Sequence, residues 1–156
     1  MKPPDQLDVE VKFTEFCERA EPRLRRALTA GYGVDVGRAA TVDALVYGWQ
    51  NWDRIGQMKN PIGYLFRVGQ NIAKRTPEYR SGWMTATTTE VPWIEPGLQP
   101  ALAELSERQR MVVALIHGLG MSFAEVADLI GVSKSSVQTH ERRAMKSLRR
   151  ALGVRR

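Results

Sequence analysis

The sequence predicts an all-α fold of two small helical domains joined by a linker rich in proline and threonine. Apolar residues recur every three or four positions in residues 10–78 and again in 101–154, as in amphipathic helices. No segment shows the alternation of a half-buried strand. Residues 77–100 contain four prolines and four threonines. Because proline fixes φ and lacks a backbone donor, this composition predicts a linker at 79–100, whose Trp83 and Trp93 we expect to dock on a neighbouring surface.

The first domain is predicted to begin with a helix capped by Thr14. Pro22 is expected to interrupt that helix, because proline removes an intrahelical hydrogen bond. Gly31 and Gly33 are expected to end it.

Two further helices follow in the first domain. The second is predicted over residues 37–55, with an apolar face formed by Val42, Leu45, Val46, Trp49 and Trp52. The third begins with Asn60 as cap and Pro61 at the first helical position, where proline is favoured. Its apolar face is expected to comprise Ile62, Leu65, Phe66, Val68 and Ile72.

The second domain carries stronger helix signals. Residues 106–109 and 122–125 each place a serine three residues before a glutamine or glutamate, the pattern of a capping box. Gly131 is predicted to make a turn, and Ser133 to cap the last helix. That helix is expected to bury the stripe formed by Val137, Ala144, Leu148 and Leu152.

The exposed face of the last helix is predicted to contact DNA. Residues 101–156 hold 10 Lys and Arg against 5 Asp and Glu, so they account for +5 of the net charge of +6. A short glycine turn between an apolar helix and a basic one predicts a helix-turn-helix, whose second helix enters the major groove. The alternative is a solvated basic face on an ordinary helical bundle. The candidate contacts are Lys134, Ser135, Ser136, Gln138, Thr139, Arg142, Arg143 and Lys146.

No enzyme chemistry is predicted. One cysteine and two histidines make no standard metal-ligand spacing, and Cys17 is interpreted as a small packing residue. The glycines of "GYGVDVG" lack the Lys-Ser/Thr of a phosphate-binding loop. We therefore expect no catalytic residue, metal or cofactor. The sequence shows neither a signal peptide nor an apolar run that could cross a membrane, so a cytoplasmic protein is expected.

The second domain resembles the −35-element-binding domain of bacterial RNA polymerase sigma factors of the extracytoplasmic-function type. The resemblance lies in "LAELSERQRMVV" and "MSFAEVADLIGVSKSSV". Glu141 departs from the family pattern, which usually has an apolar residue there. The resemblance implies that the candidate contacts on the last helix read the −35 element.

The first domain is similar to the other conserved domain of that family. "ATVDALVYGWQNWDRI" resembles the helix that docks on the polymerase β′ clamp, and Asp43 matches its acidic position, whereas Val42 replaces the usual glutamine. "NPIGYLFRVGQNIAKR" resembles the segment that recognises the −10 element. The resemblance implies core-polymerase contacts by Asp43, Trp49, Trp52 and Asp53, and −10 contacts by Asn71, Lys74 and Arg75.

The function implied is that of a sigma factor that binds core RNA polymerase and directs promoter-specific initiation. The implied partners are core polymerase, through its β′ clamp and β flap, promoter DNA and an anti-sigma factor; no membrane is expected. One alternative is a stand-alone helix-turn-helix regulator without sigma activity. Another is a helical module that mainly binds a second protein. Retention of core polymerase by the purified protein separates these three.

Overall fold

A computed structural model describes residues 4–80 and 97–154, and every regular element in these ranges is helical, as predicted. We call residues 4–80 the N-terminal unit and residues 97–154 the C-terminal unit. None of the helices that the structure describes is both long enough and apolar enough to cross a bilayer. The helices are α1 (Pro4–Tyr32), α2 (Val34–Gln50), α3 (Trp52–Ile55), α4 (Pro61–Lys74), α5 (Pro77–Arg80), α6 (Leu98–Glu104), α7 (Glu107–Val113), α8 (Phe123–Ile130) and α9 (Lys134–Ala151), with a π-helical turn at Ala114–Gly118.

Helix α1 is longer than the sequence predicts. It begins at Pro4, so Thr14 lies inside it and is not a cap, and it continues through Pro22. The prediction of a cap at Thr14 was wrong because the helix starts at Pro4. The prediction of an interruption at Pro22 was wrong because tertiary packing outweighs the hydrogen bond that proline removes. Ala20 and Leu24, on either side of Pro22, are both buried in the main core.

The buried face of α2 is also different from the predicted one. Val42, Val46 and Trp49 are 61%, 49% and 41% exposed. The helix ends at Gln50 rather than continuing to residue 55. A Cβ at Gly37 would lie 2.6 Å from the Thr29 backbone, so α1 and α2 approach closely through small residues. The buried residues of α2 are Val34, Val36, Gly37, Ala40, Thr41, Ala44 and Gly48.

The local signals in α4 and in the C-terminal unit are confirmed. The Asn60 side chain accepts a hydrogen bond from the Gly63 N–H, with Pro61 at the first helical position. Both capping boxes, at 106–109 and 122–125, have their two reciprocal hydrogen bonds. Gly131 adopts the left-handed conformation with φ of 73°, which favours glycine.

The two ends of the predicted linker are helical. Helix α5 occupies 77–80, and α6 begins at Leu98. Pro100 lies in the first turn of α6, where no intrahelical N–H donor is needed. Trp83 and Trp93, which we expected to dock on a neighbour, lie outside the described residues. The division into domains at 10–78 and 101–154 stays a prediction.

The main hydrophobic core is shared between the two units. It joins residues of α1, α2 and α4 to residues of α7, the π-helical turn, α8 and α9. A smaller cluster lies within the C-terminal unit, between α6, α7 and α9. The candidate DNA-contacting helix α9 is therefore held by both clusters.

Candidate nucleic-acid interface

Helix α9 is oriented by a buried stripe along one face. Val137, Ala144 and Leu148 are 0%, 0% and 6% exposed, and they pack against α6, α7 and α8. This confirms the predicted stripe, except that Leu152 at the helix end is only half-buried. Burial of this stripe fixes which side chains of α9 face solvent.

The predicted DNA-contacting side chains lie mostly on the free face of α9. Ser136 and Thr139 are half-buried, and the Thr139 hydroxyl donates to the Ser135 carbonyl of its own helix over 3.0 Å. No carboxylate within the described ranges forms an ion pair with the basic side chains of α9. These side chains are therefore available to an external anion. The exposed candidates are Lys134, Ser135, Gln138, Arg142, Arg143 and Lys146.

The start of α9 is fixed by a local hydrogen bond. The Ser133 hydroxyl oxygen accepts the Ser136 N–H over 3.1 Å. The preceding helix α8 starts in the same way, where the Ser122 hydroxyl oxygen accepts the Glu125 N–H over 3.1 Å. The Glu125 carboxylate in turn accepts the Ser122 N–H over 3.1 Å. Hydrogen bonds from the backbone and side chain of Ser122 lower the pKa of Glu125. The capping bonds set the geometry of both helices of the helix-turn-helix.

Glu141 acquires a structural role that the sequence does not indicate. Its Oε1 lies 3.2 Å from Nε2 of His117, at the end of the π-helical turn. This polar contact joins α9 to the segment that follows α7. A carboxylate is therefore accommodated at a position where an apolar residue was expected, because a polar partner faces it.

The predicted −10 contacts occupy the last turn of α4 and the residue after it. Asn71 is exposed and lies inside the helix, which ends at Lys74, so it does not cap a helix. Arg75 is exposed as well. Lys74, however, forms an ion pair with Glu107 of α7, with Nζ 3.1 Å from Oε1. One of the three candidates is thus held by the C-terminal unit.

The predicted core-polymerase contacts divide into two groups. Asp43 and Asp53 are exposed on α2 and α3, and Trp49 is 41% exposed although its ring also packs 5.2 Å from the Phe13 ring centroid. The Trp52 ring packs 4.8 Å from the Phe16 ring centroid and 5.2 Å from that of Phe13, so it stabilises the unit. Sequence reasoning assigned this tryptophan to the same surface as the others because it has the same helical spacing.

The sequence did not predict two sets of residues, one on the exposed surface of α2 and one at the contact between the two units. Val42 and Val46 continue the exposed apolar surface of Trp49 along α2, at spacings of four and three residues. Three arginines, Arg23, Arg67 and Arg110, connect the two units through hydrogen bonds to backbone carbonyls of the opposite unit. The apolar spacing of α2 was visible in the sequence, but it suggested burial.

No metal site or reactive thiol is found in the described part of the chain. Across residues 4–80 and 97–154, no group of three His, Cys, Asp or Glu side chains could hold a metal ion. Burial, with a contribution from Glu21, raises the pKa of the Cys17 thiol. The raised pKa disfavours the thiolate, which is the nucleophilic form.

Comparisons with known proteins agree with this geometry. The family model described as Sigma-70, region 4 matches residues 101–150. No curated protein matches the chain. Among solved structures, the sigma factor RpoE from Bartonella quintana, in complex with the anti-sigma factor NepR, matches with a TM-score of 0.71 and 23% identity. The match covers 92% of this chain and 98% of that chain, and at this identity it establishes the fold.

The match to a family model concerns the C-terminal unit. Residues 101–150 match the family model of sigma-70 region 4 and contain the helix-turn-helix of α8 and α9. The chain shares the fold of the solved sigma factor over 92% of its length. Both findings support the resemblance to sigma factors of the extracytoplasmic-function type.

Proposed function

We propose that this protein binds core RNA polymerase and directs promoter-specific transcription initiation. The observation that carries the proposal is the exposed basic face of α9, with which no carboxylate in 4–80 or 97–154 forms an ion pair, on a capped helix-turn-helix that matches the region 4 family model. The polymerase supplies the chemistry, and this chain supplies the contacts that select the start site. A cytoplasmic location goes with this role.

Helix α9 is suited to read the −35 element. An α-helix with its side chains is about 10–12 Å across, which matches a major groove about 12 Å wide. Gln138 and Arg142 lie four residues apart on the free face, so they can reach neighbouring base edges. Glutamine can pair with adenine and arginine with guanine. Arg143, Lys146 and Arg149 lie on the flanks or further along, where phosphates approach.

The N-terminal unit is proposed to hold the polymerase and the −10 strand. Asp43, Val42, Val46 and Trp49 share an exposed stretch of α2, which offers a charge and an apolar surface to the β′ clamp. Asn71 can hydrogen-bond a base, and Arg75 can contact a phosphate. Lys74 can also contact a phosphate, in exchange for its exposed ion pair with Glu107. The β flap is a further proposed contact of the C-terminal unit.

Purified protein mixed with core polymerase tests the proposal. A sigma factor co-elutes with core and supports run-off transcription from some promoters but not from scrambled −35 and −10 sequences. A stand-alone regulator binds duplex DNA without core. A protein-binding module does neither, and either of these two results refutes the proposed function.

An anti-sigma factor is proposed as a further partner. The solved relative from Bartonella quintana is a sigma factor in complex with an anti-sigma factor. Its fold and that of this chain correspond over most of both lengths. Affinity purification of the tagged protein under non-inducing conditions, followed by mass spectrometry, tests for a stoichiometric partner that dissociates when core polymerase is added.

A further inference from the structure

A cleft lies between α1 and α2 on one side and α6, the π-helical turn and α9 on the other. Its volume is about 580 Å³, within the range of about 300–1,000 Å³ that is usual for small-molecule sites. Such sites are mostly apolar and carry a few polar groups that orient the ligand. The apolar wall of this cleft includes Val34, Leu98, Leu102, Val113, Met145 and Leu148.

Most of the apolar wall belongs to the smaller hydrophobic cluster. Leu102, Val113 and Leu148 are buried members of that cluster, and Leu98 and Met145 are partly buried against it. A ligand with an apolar body would extend the cluster. Ordered water would find few hydrogen-bond partners along this wall, and a buried water needs two to four of them. The wall therefore favours an aliphatic occupant.

The charged part of the lining has a single sign. Among the described residues that line the cleft there is no aspartate or glutamate. Two of the basic groups have carboxylate partners, since Arg25 lies 3.0 Å from Glu21 and His117 lies 3.2 Å from Glu141. Basic groups around an apolar wall complement a ligand that is apolar at one end and negative at the other. The basic lining side chains are Arg25, Arg26, Arg38 and His117.

Arg26 and Arg38 are the groups best placed to hold an anion. A Cβ at Gly37 would lie 2.6 Å from the Thr29 backbone, so α1 and α2 touch there, within one turn of both arginines. Both side chains are exposed, and Arg26 forms no ion pair with a carboxylate of residues 4–80 or 97–154. A guanidinium presents a planar fork of donors that matches a carboxylate or a phosphate.

We infer that this cleft binds an anionic amphiphile, a molecule with a single aliphatic chain that ends in a carboxylate or phosphate. The chain packs on the wall formed by Leu102, Val113 and Leu148, and Arg26 and Arg38 hold the charged end. No aromatic side chain is among the described lining residues, so the cleft offers no surface on which a nucleotide base would stack. A lipid with two chains is larger than the ligands that a cleft of this volume holds.

The site lies apart from the surfaces that are proposed to bind polymerase and DNA. Met145 and Leu148 lie toward the buried side of α9, whereas Gln138 and Arg142 are on its free face. None of the lining residues is among the named polymerase or promoter contacts. Ligand binding here and the proposed sigma function can therefore be tested separately, and the failure of one does not imply the failure of the other.

Isothermal titration calorimetry of the full chain with dodecanoate, kept below its micelle concentration, tests the inference. We expect saturation at one dodecanoate per chain. The affinity should rise by up to about fourfold for each methylene added between octanoate and dodecanoate, because each one buries further apolar surface. Dodecyltrimethylammonium has the same chain and the opposite charge, so it should bind at least about tenfold more weakly. Equal binding of this cation, or uptake of dodecanoate without saturation, overturns the inference.

Charge reversal at the cleft tests the role of the arginines. Arg26→Glu and Arg38→Glu should each weaken dodecanoate binding by about tenfold or more, because each removes a charged hydrogen bond. Arg19→Glu is the matched control, since it makes the same charge change at an exposed position of α1 outside the cleft. If all three variants weaken binding equally, the affinity reflects net charge and the arginines do not form a site.

Methyl NMR on the unsubstituted protein locates the bound chain without any variant. The methyl signals of Val34, Val113 and Met145 should shift when dodecanoate is added. Those of Val42 and Val46, on the exposed apolar face of α2, should not shift, because no basic group is known to line that face and Asp43 is adjacent in sequence. Shifts confined to Val42 and Val46, or equal shifts at all five residues, would place the ligand outside the cleft or show non-specific binding, and either result refutes the inference.

Discussion

Substitution of Arg110 by alanine should destabilise the whole protein. The side chain is 8% exposed, and its guanidinium donates to the Gly31 carbonyl over 3.0 Å and to the Leu105 carbonyl over 3.2 Å. The first hydrogen bond joins the two units, and the second fixes the end of α6. Alanine removes both donors and leaves these buried carbonyls without them.

The size of the effect follows from these two hydrogen bonds. An unsatisfied buried polar group costs about 1–3 kcal/mol, so two carbonyls suggest a loss of about 3–4 kcal/mol after some water enters. For a chain of this size, that corresponds to a fall in Tm of roughly 6–16 °C. Arg110→Lys keeps a charged group that can donate to one of the two carbonyls. Its free energy of unfolding should therefore fall by about half as much as that of Arg110→Ala. Arg108→Ala, an exposed position on the same helix, should change stability by less than about 0.5 kcal/mol.

Urea unfolding followed by circular dichroism measures these differences, with the midpoint and slope fitted separately. Because the units share one core, the unsubstituted protein should unfold in a single transition. If Arg110→Ala costs no more than Arg108→Ala, the hydrogen bonds to Gly31 and Leu105 do not contribute to stability and the reasoning fails.

Four further predictions concern the proposed contacts and the caps. Asp43→Arg should weaken the affinity for core polymerase in co-elution at least tenfold, about 1.4 kcal/mol, without altering the circular dichroism spectrum of the helices. Unchanged binding would show that this face of α2 is not the docking surface. Asn71→Ala should slow promoter opening, measured by permanganate footprinting, while binding to core polymerase stays intact. If the pattern of thymine reactivity is unchanged, Asn71 has a structural role and does not contact a base. In the holoenzyme, Arg142→Ala should lose about 1–3 kcal/mol of discrimination at one −35 position, whereas Lys146→Ala should weaken every −35 variant equally and lower the salt dependence by about one unit. An equal loss on all variants for Arg142→Ala would make it a phosphate contact. Because its folded pKa is lowered, Glu125 stabilises the protein above the ordinary carboxyl pKa of about 4.3, and this stability is lost as pH falls through the folded value. Glu125→Gln should therefore unfold at a lower urea concentration than the unsubstituted protein near pH 6, and at nearly the same concentration near pH 3. A difference in urea midpoint that does not change with pH would refute the role assigned to the Glu125 carboxylate.

The sequence predicted best what depends on neighbouring residues. A capping box needs only positions three residues apart, so both serine caps at 106 and 122 and the turn at Gly131 were predicted correctly. The stripe of α9 follows from helical periodicity alone. These local signals also oriented the candidate DNA-contacting face.

Features that depend on distant residues were not predictable in the same way. The exposed face of α2 carries larger apolar residues than its buried face, because Gly37 and Gly48 permit close packing that periodicity cannot reveal. The contact of Arg23 with Leu119 joins residues 96 positions apart. Nothing in the composition near either residue indicates the other, so the cross-unit interface emerged only from the structure.

The π-helical turn after α7 gives that segment room to lose one residue. The Leu119 N–H donates to the Ala114 carbonyl over 2.9 Å, five residues back, so the turn holds one residue more than an α-helical turn. Removing one residue from 114–118 would leave an α-helical turn and keep the residues after it at nearly the same rotation about the helix axis. Leu119 and Met121 would then still face the core that Val112 enters. A single-residue deletion within α7 should be tolerated far less, because it would rotate everything downstream by about 100°.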